Sequence, residues 1–243
     1  MKPLAPELNA FSFTFDPELL WPLRAAFSKH LSTFFYLPEN KALLSGVYYQ
    51  SRRVGDYYLL SYDTYPLLWL TNHNLNSYQL FHDFFEQLSL NEPLKPYIPF
   101  RRKLVMYSGF FVVGNRAHET MWHYDYRPEA RAYTLITPLF DWRPEHGHLL
   151  YKSHEQAETS TYTYKKGEAV LLGDGVLHST EPYAPTDSLR VLVSLTFGSD
   201  RWKHWPVIEK NISEQSYYYH LPCGHPVNAC GCRGKKLLAR IGR

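Results

Sequence analysis

A mainly β fold with flanking helices, closed into a jelly-roll or cupin-like barrel, is what the sequence predicts, and three observations predict it. After Pro99 the chain breaks into short strand-like runs separated by turn residues, at 103–113, 131–140, 148–152, 162–164, 169–172 and 189–197. Many short strands with few helices between them make a sandwich or a barrel. Aromatic residues form 16% of the chain, including 20 tyrosines, and such rings suit β-rich packing and the wall of a concave pocket alike. The two segments richest in metal-ligand chemistry lie far apart, around residues 123 and 178. A two-sheet barrel lets such distant strands meet inside one cavity.

Taken in order, residues 1–100 read as a mixed α/β flank packing on the barrel, 101–205 as the barrel and 206–243 as a tail. Asp16-Pro17-Glu18 is a helix start, with a capping carboxylate and a proline in the first turn. The pattern from Leu23 to Phe35 is helical, with Pro22 a point where the helix could restart. Leu43–Gln50 and Tyr57–Leu70 read as strands joined by a turn at Val54-Gly55-Asp56. From Ser77 onward, Leu80, Phe81, Phe84, Phe85 and Leu88 recur at helical spacing and give one apolar face, which suits a helix packed over the core.

At 243 residues the chain is long enough to bury most of its apolar surface. A net charge of +3 makes no case for nucleic acid. No apolar run approaches a membrane span, and Met1-Lys2-Pro3-Leu4-Ala5-Pro6-Glu7 lacks the apolar centre of a signal peptide. Only three cysteines occur, all near the C-terminus. A disulfide framework is therefore not expected, and a reducing, cytoplasmic setting is the simpler assumption. The basic run 233–243 reads as a solvated tail.

The chemistry concentrates in His123-Tyr124-Asp125, His178 and Arg190. On an extended segment His123 and Asp125 project from the same face, with Tyr124 pointing away. Two imidazoles and one carboxylate on one face of an ion, with open positions opposite, form the triad that suits non-haem Fe(II) oxygen chemistry. His178 follows a turn, a short apolar run and a Gly173-Asp174-Gly175 turn. Arg190 opens the strand-like run Arg-Val-Leu-Val-Ser-Leu-Thr-Phe. Its planar guanidinium can hold a carboxylate through two parallel charge-assisted hydrogen bonds. Each residue also has an ordinary reading: a lone histidine is often structural, and an arginine on a sheet is often an ion-pair partner.

Together these residues resemble the Fe(II)/2-oxoglutarate-dependent oxygenases, in particular the phytanoyl-CoA hydroxylase-like and prolyl-hydroxylase-like branches. Trp122-His123-Tyr124-Asp125 resembles the Trp-His-x-Asp segment of the first branch. The stretch from Gly147 to His154 is similar to its Gly-x-Leu…Ser-His turn, although Tyr-Lys-Ser-His stands where Pro-Gly-Ser-His is common. Lys166-Gly167-Glu168, Gly173-Asp174, His178 and Arg190 resemble the distal half of both branches. The resemblance covers roughly residues 104–200 and implies a double-stranded β-helix core. It also implies iron on His123, Asp125 and His178, and the distal carboxylate of 2-oxoglutarate on Arg190. The presence of Asp125 implies an oxygenase rather than a halogenase. The expected reaction is hydroxylation of a substrate carbon with release of succinate and CO2; the substrate is not identified, and pocket-forming aromatics favour a small molecule. A cupin-type binding protein that turns nothing over is the alternative.

Alternation along the last strand puts Arg190, Leu192, Ser194 and Thr196 on one face, with Ser194 about 13 Å from Arg190 at roughly 3.3 Å per residue. Tyr133, Thr137 and Tyr107 are further candidates for the co-substrate's carboxylate. Trp122 either lines the pocket or packs behind the metal. His118, Glu119, His146, His148 and His154 are rival ligands that fit the pattern less well. Near the C-terminus His220, Cys223, His225, Cys230 and Cys232 have the donor types of a zinc site. A tail with unpaired thiols is the other reading of that cluster, and a zinc-stabilised interaction module would rest on it alone.

Overall fold

A computed structural model describes residues 1–45, 51–62 and 65–232. Its strands are β1 (Lys2–Pro3), β2 (Ala10–Thr14), β3 (Arg52–Val54), β4 (Tyr57–Tyr62), β5 (Tyr65–Asn72), β6 (Leu104–Gly114), β7 (Ala132–Pro138), β8 (Leu149–Lys152), β9 (Ser160–Tyr162), β10 (Glu168–Leu172), β11 (Leu177–Thr180) and β12 (Arg190–Ser199). Its α-helices are α1 (Trp21–His30), α2 (Ser32–Tyr36), α3 (Pro38–Lys41), α4 (Leu75–Gln87), α5 (Asn91–Leu94) and α6 (Trp205–Gln215). Nine strands form one antiparallel sheet in the order β1-β2-β10-β7-β12-β6-β5-β4-β3, and β11-β8-β9 form a second. The result is a jelly roll. Residues 1–100 add strands to both edges of the large sheet, with β2 pairing β10 and β5 pairing β6.

Two apolar layers follow from this arrangement. On the outer face of the large sheet Leu70, Phe111, Leu135, Val193 and Phe197 meet Leu23 and Phe27 of α1 and Phe81 and Phe84 of α4. Between the sheets Phe110, Val112, Leu172 and Leu192 meet Leu149, Tyr151 and Tyr162 of the small sheet. Helix α4 begins at Asn74, whose side chain accepts from Ser77 N while the Ser77 hydroxyl accepts from Asn74 N, a reciprocal cap that fixes where the helix starts. It lies flush on β6: a Cβ added at Gly109 would stand 2.4 Å from the Phe81 ring. Since Phe81 is fully buried, Gly109→Ala is expected to cost about 1–3 kcal/mol through overpacking, read as a lowered midpoint in chemical unfolding.

Several sequence-based elements shift. The helix expected at Leu23–Phe35 is two helices, α1 and α2, preceded by a 3₁₀ turn at Pro17–Leu20 where Asp16 Oδ1 accepts from Glu18 N at 3.0 Å. The long strand expected at Tyr57–Leu70 is a hairpin of β4 and β5, paired antiparallel. The strand expected at Leu43–Gln50 opens as a 3₁₀ turn over Ala42–Ser45, and 46–50 lie outside the described residues, as does the basic run 233–243. Strands β2 and β11 and helix α6 were not expected. No helix among the described residues is long and apolar enough to cross a membrane.

Candidate active site

Strand β12 is the axis of the site. It lies between β6 and β7, with Arg190 opposite Gly114 and Ser194 opposite both Phe110 and Ile136. Its alternation turns Arg190, Leu192 and Ser194 into a cavity of about 560 Å³ that is also lined by His123, Asp125 and His178. Strand β11 brings His178 to the same space by pairing with β8. One further bridge joins it to His123: His123 N donates to His178 O at 3.1 Å, and His178 N to His123 O at 3.0 Å. Distant parts of the chain are thus locked side by side through their main chains, and the imidazoles follow, with ring centres 4.3 Å apart.

The orientation of the three donors is fixed from behind. His123 Nδ1 lies 2.9 Å from Met121 O and His178 Nδ1 lies 3.1 Å from Val176 O. Each Nδ1–H is therefore committed to a carbonyl, and each Nε2 lone pair is turned forward. Both Nε2 atoms stand 3.6 Å from Asp125 Oδ1, too far for good hydrogen bonds and placed to share one ion. The donor atoms of all three residues lie within 4.8 Å of one another. Asp125 Oδ2 is buried, with no hydrogen-bond partner within 3.5 Å among the described residues. Around them, Asn211 of α6 donates to Asp125 O at 2.6 Å and Ser179 Oγ accepts from Met121 N at 2.8 Å. This donor set fits a divalent iron ion with open positions.

Burial alone would raise the Asp125 carboxyl, but His178, His123 and the Thr134 hydroxyl outweigh it and hold it well below the usual carboxylate range. Burial lowers His178. Burial also pulls on His123, but the Asp125 carboxylate beside it prevails and the net shift is upward. A metal must displace whatever protons these groups carry. As pH falls, His123 takes up its proton first and costs roughly tenfold in affinity per pH unit, His178 joins at lower pH and doubles the slope, and Asp125 contributes nothing. Calorimetric Mn(II) titrations in buffers of different ionisation enthalpy are expected to show this two-step rise in released protons.

Arg190 is 1% exposed, and its Nε and Nη1 have no hydrogen-bond partner among the described residues. Its guanidinium carbon stands 5.1 Å from the Trp142 ring centre, 5.8 Å from Tyr164 and 5.9 Å from Tyr183. Trp142 Nε1 is likewise buried, with no hydrogen-bond partner among the described residues. Aromatic faces hold the cation in place while its in-plane donors stay available, an arrangement suited to a carboxylate guest.

The other candidates fall elsewhere. On β7 it is Thr134 and Ile136 that line the cavity. Tyr133 faces the outer core with its hydroxyl on Asn9, and Thr137 Oγ1 donates to Glu168 O at 2.9 Å. Tyr107 stands where the β6–β12 register shifts, packed on Trp205 and donating to Ser199 O at 2.8 Å. None of these three lines the cavity. Trp122 lies under the Lys152 ammonium, 4.4 Å from it. His146 is buried beside Ser188 Oγ, 2.9 Å away, while His118, Glu119 and His154 are exposed. Sequence reasoning missed Trp142, Tyr183, Thr134, Ser179 and Asn211. Only spatial neighbourhood marks them, because none shares a motif with the residues it serves. Cys223, His225, Cys230 and Cys232 converge, with donor atoms all within 4.8 Å of one another. His220 leaves that group and stacks on Tyr78 at 3.8 Å.

No family model matches the sequence, and no curated protein matches it. Among solved structures the chain is similar to AviO1 from Streptomyces viridochromogenes Tue57, at 17% identity and TM-score 0.52 over 79% of this chain and 90% of that one. It is also similar to SnoK, a non-haem α-ketoglutarate-dependent carbocyclase from nogalamycin biosynthesis, at 14% identity and TM-score 0.50 over 80% and 81% of the two chains. The corresponding values for EctD from S. alaskensis are 13%, 0.50, 80% and 74%. At these identities the likeness is one of fold: the chain has the jelly roll of proteins that include a non-haem α-ketoglutarate-dependent enzyme.

Proposed function

We propose that the chain is a non-haem Fe(II)- and 2-oxoglutarate-dependent dioxygenase that hydroxylates a C–H bond of a small molecule. The observation that carries this reading is the pairing, in one cavity, of a forward-facing His123/Asp125/His178 set with a buried Arg190 whose donors await a carboxylate. Iron bound there would couple decarboxylation of 2-oxoglutarate to succinate and CO2 with oxygen transfer to the substrate.

The chain's own residues orient and enclose. His123 and His178 present Nε2 because main-chain carbonyls hold Nδ1. Asp125 presents Oδ1 toward both of them, with its carbonyl pinned by Asn211. Arg190 receives the far carboxylate of the keto acid and sets its direction along β12. Phe110, Val112, Met121, Ile136, Leu149 and Leu192 line the remaining cavity, which favours a guest with substantial apolar surface and keeps water from the reacting atoms. His178 is buried, whereas the His123 side chain is 45% exposed, so the substrate enters on the His123 side. The three cysteines form no disulfide among the described residues, which agrees with a reducing compartment, the cytoplasm in this reading.

Anaerobic titration with Fe(II) and 2-oxoglutarate tests the proposal. A visible metal-to-ligand charge-transfer band is expected, with slow succinate formation once air is admitted. Folded, metal-loaded protein that shows neither would overturn it and leave a binding barrel.

A further inference from the structure

Outside the cavity, the most concentrated ligand chemistry lies in the strap that follows α6. We propose that Cys223, His225, Cys230 and Cys232 bind a structural zinc ion, closed to substrate, that clips this strap onto α6. None of the four lines the cavity, so the site stands apart from the oxygenase reading.

Local hydrogen bonding explains why ligands from so short a stretch converge. The strap folds back on itself through Val227 N to Tyr219 O at 3.0 Å and Leu221 N to His225 O at 2.9 Å. Gly224 takes the left-handed conformation (φ +79°) that this reversal needs, which leaves Cys223 and His225 flanking the turn. A second turn, Ala229 N to Pro226 O at 3.1 Å, brings Cys230 and Cys232 back to them. Cys223 Sγ then lies 3.5 Å from Cys230 Sγ, and His225 Nδ1 lies 3.2 Å from Cys232 Sγ.

These contacts are the wrong size for a disulfide and close to the right size for a tetrahedral ion. A disulfide needs about 2.05 Å between sulfurs, and three thiols would leave one over. Zn–S bonds of about 2.3 Å and Zn–N bonds of about 2.0–2.1 Å place neighbouring tetrahedral donors roughly 3.5–3.8 Å apart. The Cys232 amide points at Cys230 Sγ, 3.4 Å away, a donor that would support charge on a thiolate. Three sulfurs and one imidazole fill four positions and leave none for water, the mark of a structural rather than catalytic zinc.

What the clip would hold is specific. Cys223, Val227 and Cys230 pack against a core shared by Tyr107 and Tyr126 with Trp205, Ile208 and Ile212 of α6. That helix carries Asn211, which holds the Asp125 carbonyl, and Gln215, which lines the cavity. Zinc at the strap therefore fixes α6 against the segment that supplies two of the three iron ligands. The soft sulfur set and the hard nitrogen/oxygen set also sort two metals within one chain.

The test uses the full chain, purified under reducing conditions without chelators. Elemental analysis is expected to find about one zinc per chain, retained in His178→Ala and lost in the Cys230→Ser/Cys232→Ser double variant. Should that variant fail to fold, Co(II) added to zinc-stripped wild-type protein carries the test alone. Intense tetrahedral d–d bands with sulfur-to-cobalt charge transfer are expected. Weak six-coordinate bands only, with all three thiols titrating as reduced, would overturn the proposal. Zinc undiminished in the folded double variant would overturn it as well.

Discussion

Arg190→Met is expected to make the ligand-free protein more stable while removing its affinity for 2-oxoglutarate. An arginine that is 1% exposed, with Nε and Nη1 unpartnered among the described residues, carries a desolvation penalty that the flanking rings only partly offset. Replacing such a charge with an apolar side chain of similar length is often stabilising, here by about 1 kcal/mol or more. For a chain of this size that is a rise in Tm of about 2–4 °C. Loss of a paired, desolvated charge contact should weaken 2-oxoglutarate by about 10²–10³-fold, equivalent to roughly 3–4 kcal/mol. Thermal melting and calorimetric binding on the same preparation check both halves. Arg190→Lys keeps the charge but not the fork, and should recover only part of the affinity. A structural arginine would behave oppositely: Arg190→Met would melt earlier and still bind the keto acid.

His178→Ala is expected to remove the barrel metal outright, lowering affinity by more than about 100-fold, beyond the 10–100-fold typical of lost outer support. His178 is buried and its Nε2 faces Asp125 Oδ1, so no water-exposed side chain can replace it by a rotamer change. Asn211→Ala, which removes only the bond to the Asp125 carbonyl, should cost about tenfold. Mn(II) binding followed by electron paramagnetic resonance separates the two variants. Equal losses would mean that α6, rather than the imidazole, dominates the site.

How much of this could be read from the residues depends on burial. His123, Asp125, His178 and Arg190 stand out in the sequence because their chemistry is carried by side-chain type and spacing, and the structure brings all four to one cavity. The sandwich was legible from the short strands after Pro99, and β12 in particular follows its expected alternation. The facing of β7 was not. All of Ala132–Pro138 is buried or nearly so, between the helix-covered core and the second sheet, so period-2 contrast between polar and apolar residues is lost. The sequence therefore offers Tyr133 and Thr137 as readily as Thr134 and Ile136, and it is the second pair that lines the cavity. Strand β11 was hidden for a related reason: Leu177-His178-Ser179-Thr180 is too short and polar to look like a strand, although it carries His178, one of the three convergent donors. The cage around Arg190 comes from three separate loops, carrying Trp142, Tyr164 and Tyr183, an association that only the folded chain reveals.

Both imidazoles are steered by carbonyl oxygens two residues upstream, Met121 O and Val176 O. A carbonyl belongs to the backbone whatever side chain accompanies it. Met121 also lines the cavity, so its side chain can change to suit a different guest while the ring it aims keeps its tautomer and direction. The proposed metal-binding set is thereby insulated from drift at a cavity-lining position, and a lineage could reshape the cavity there without first losing the geometry of its three donors.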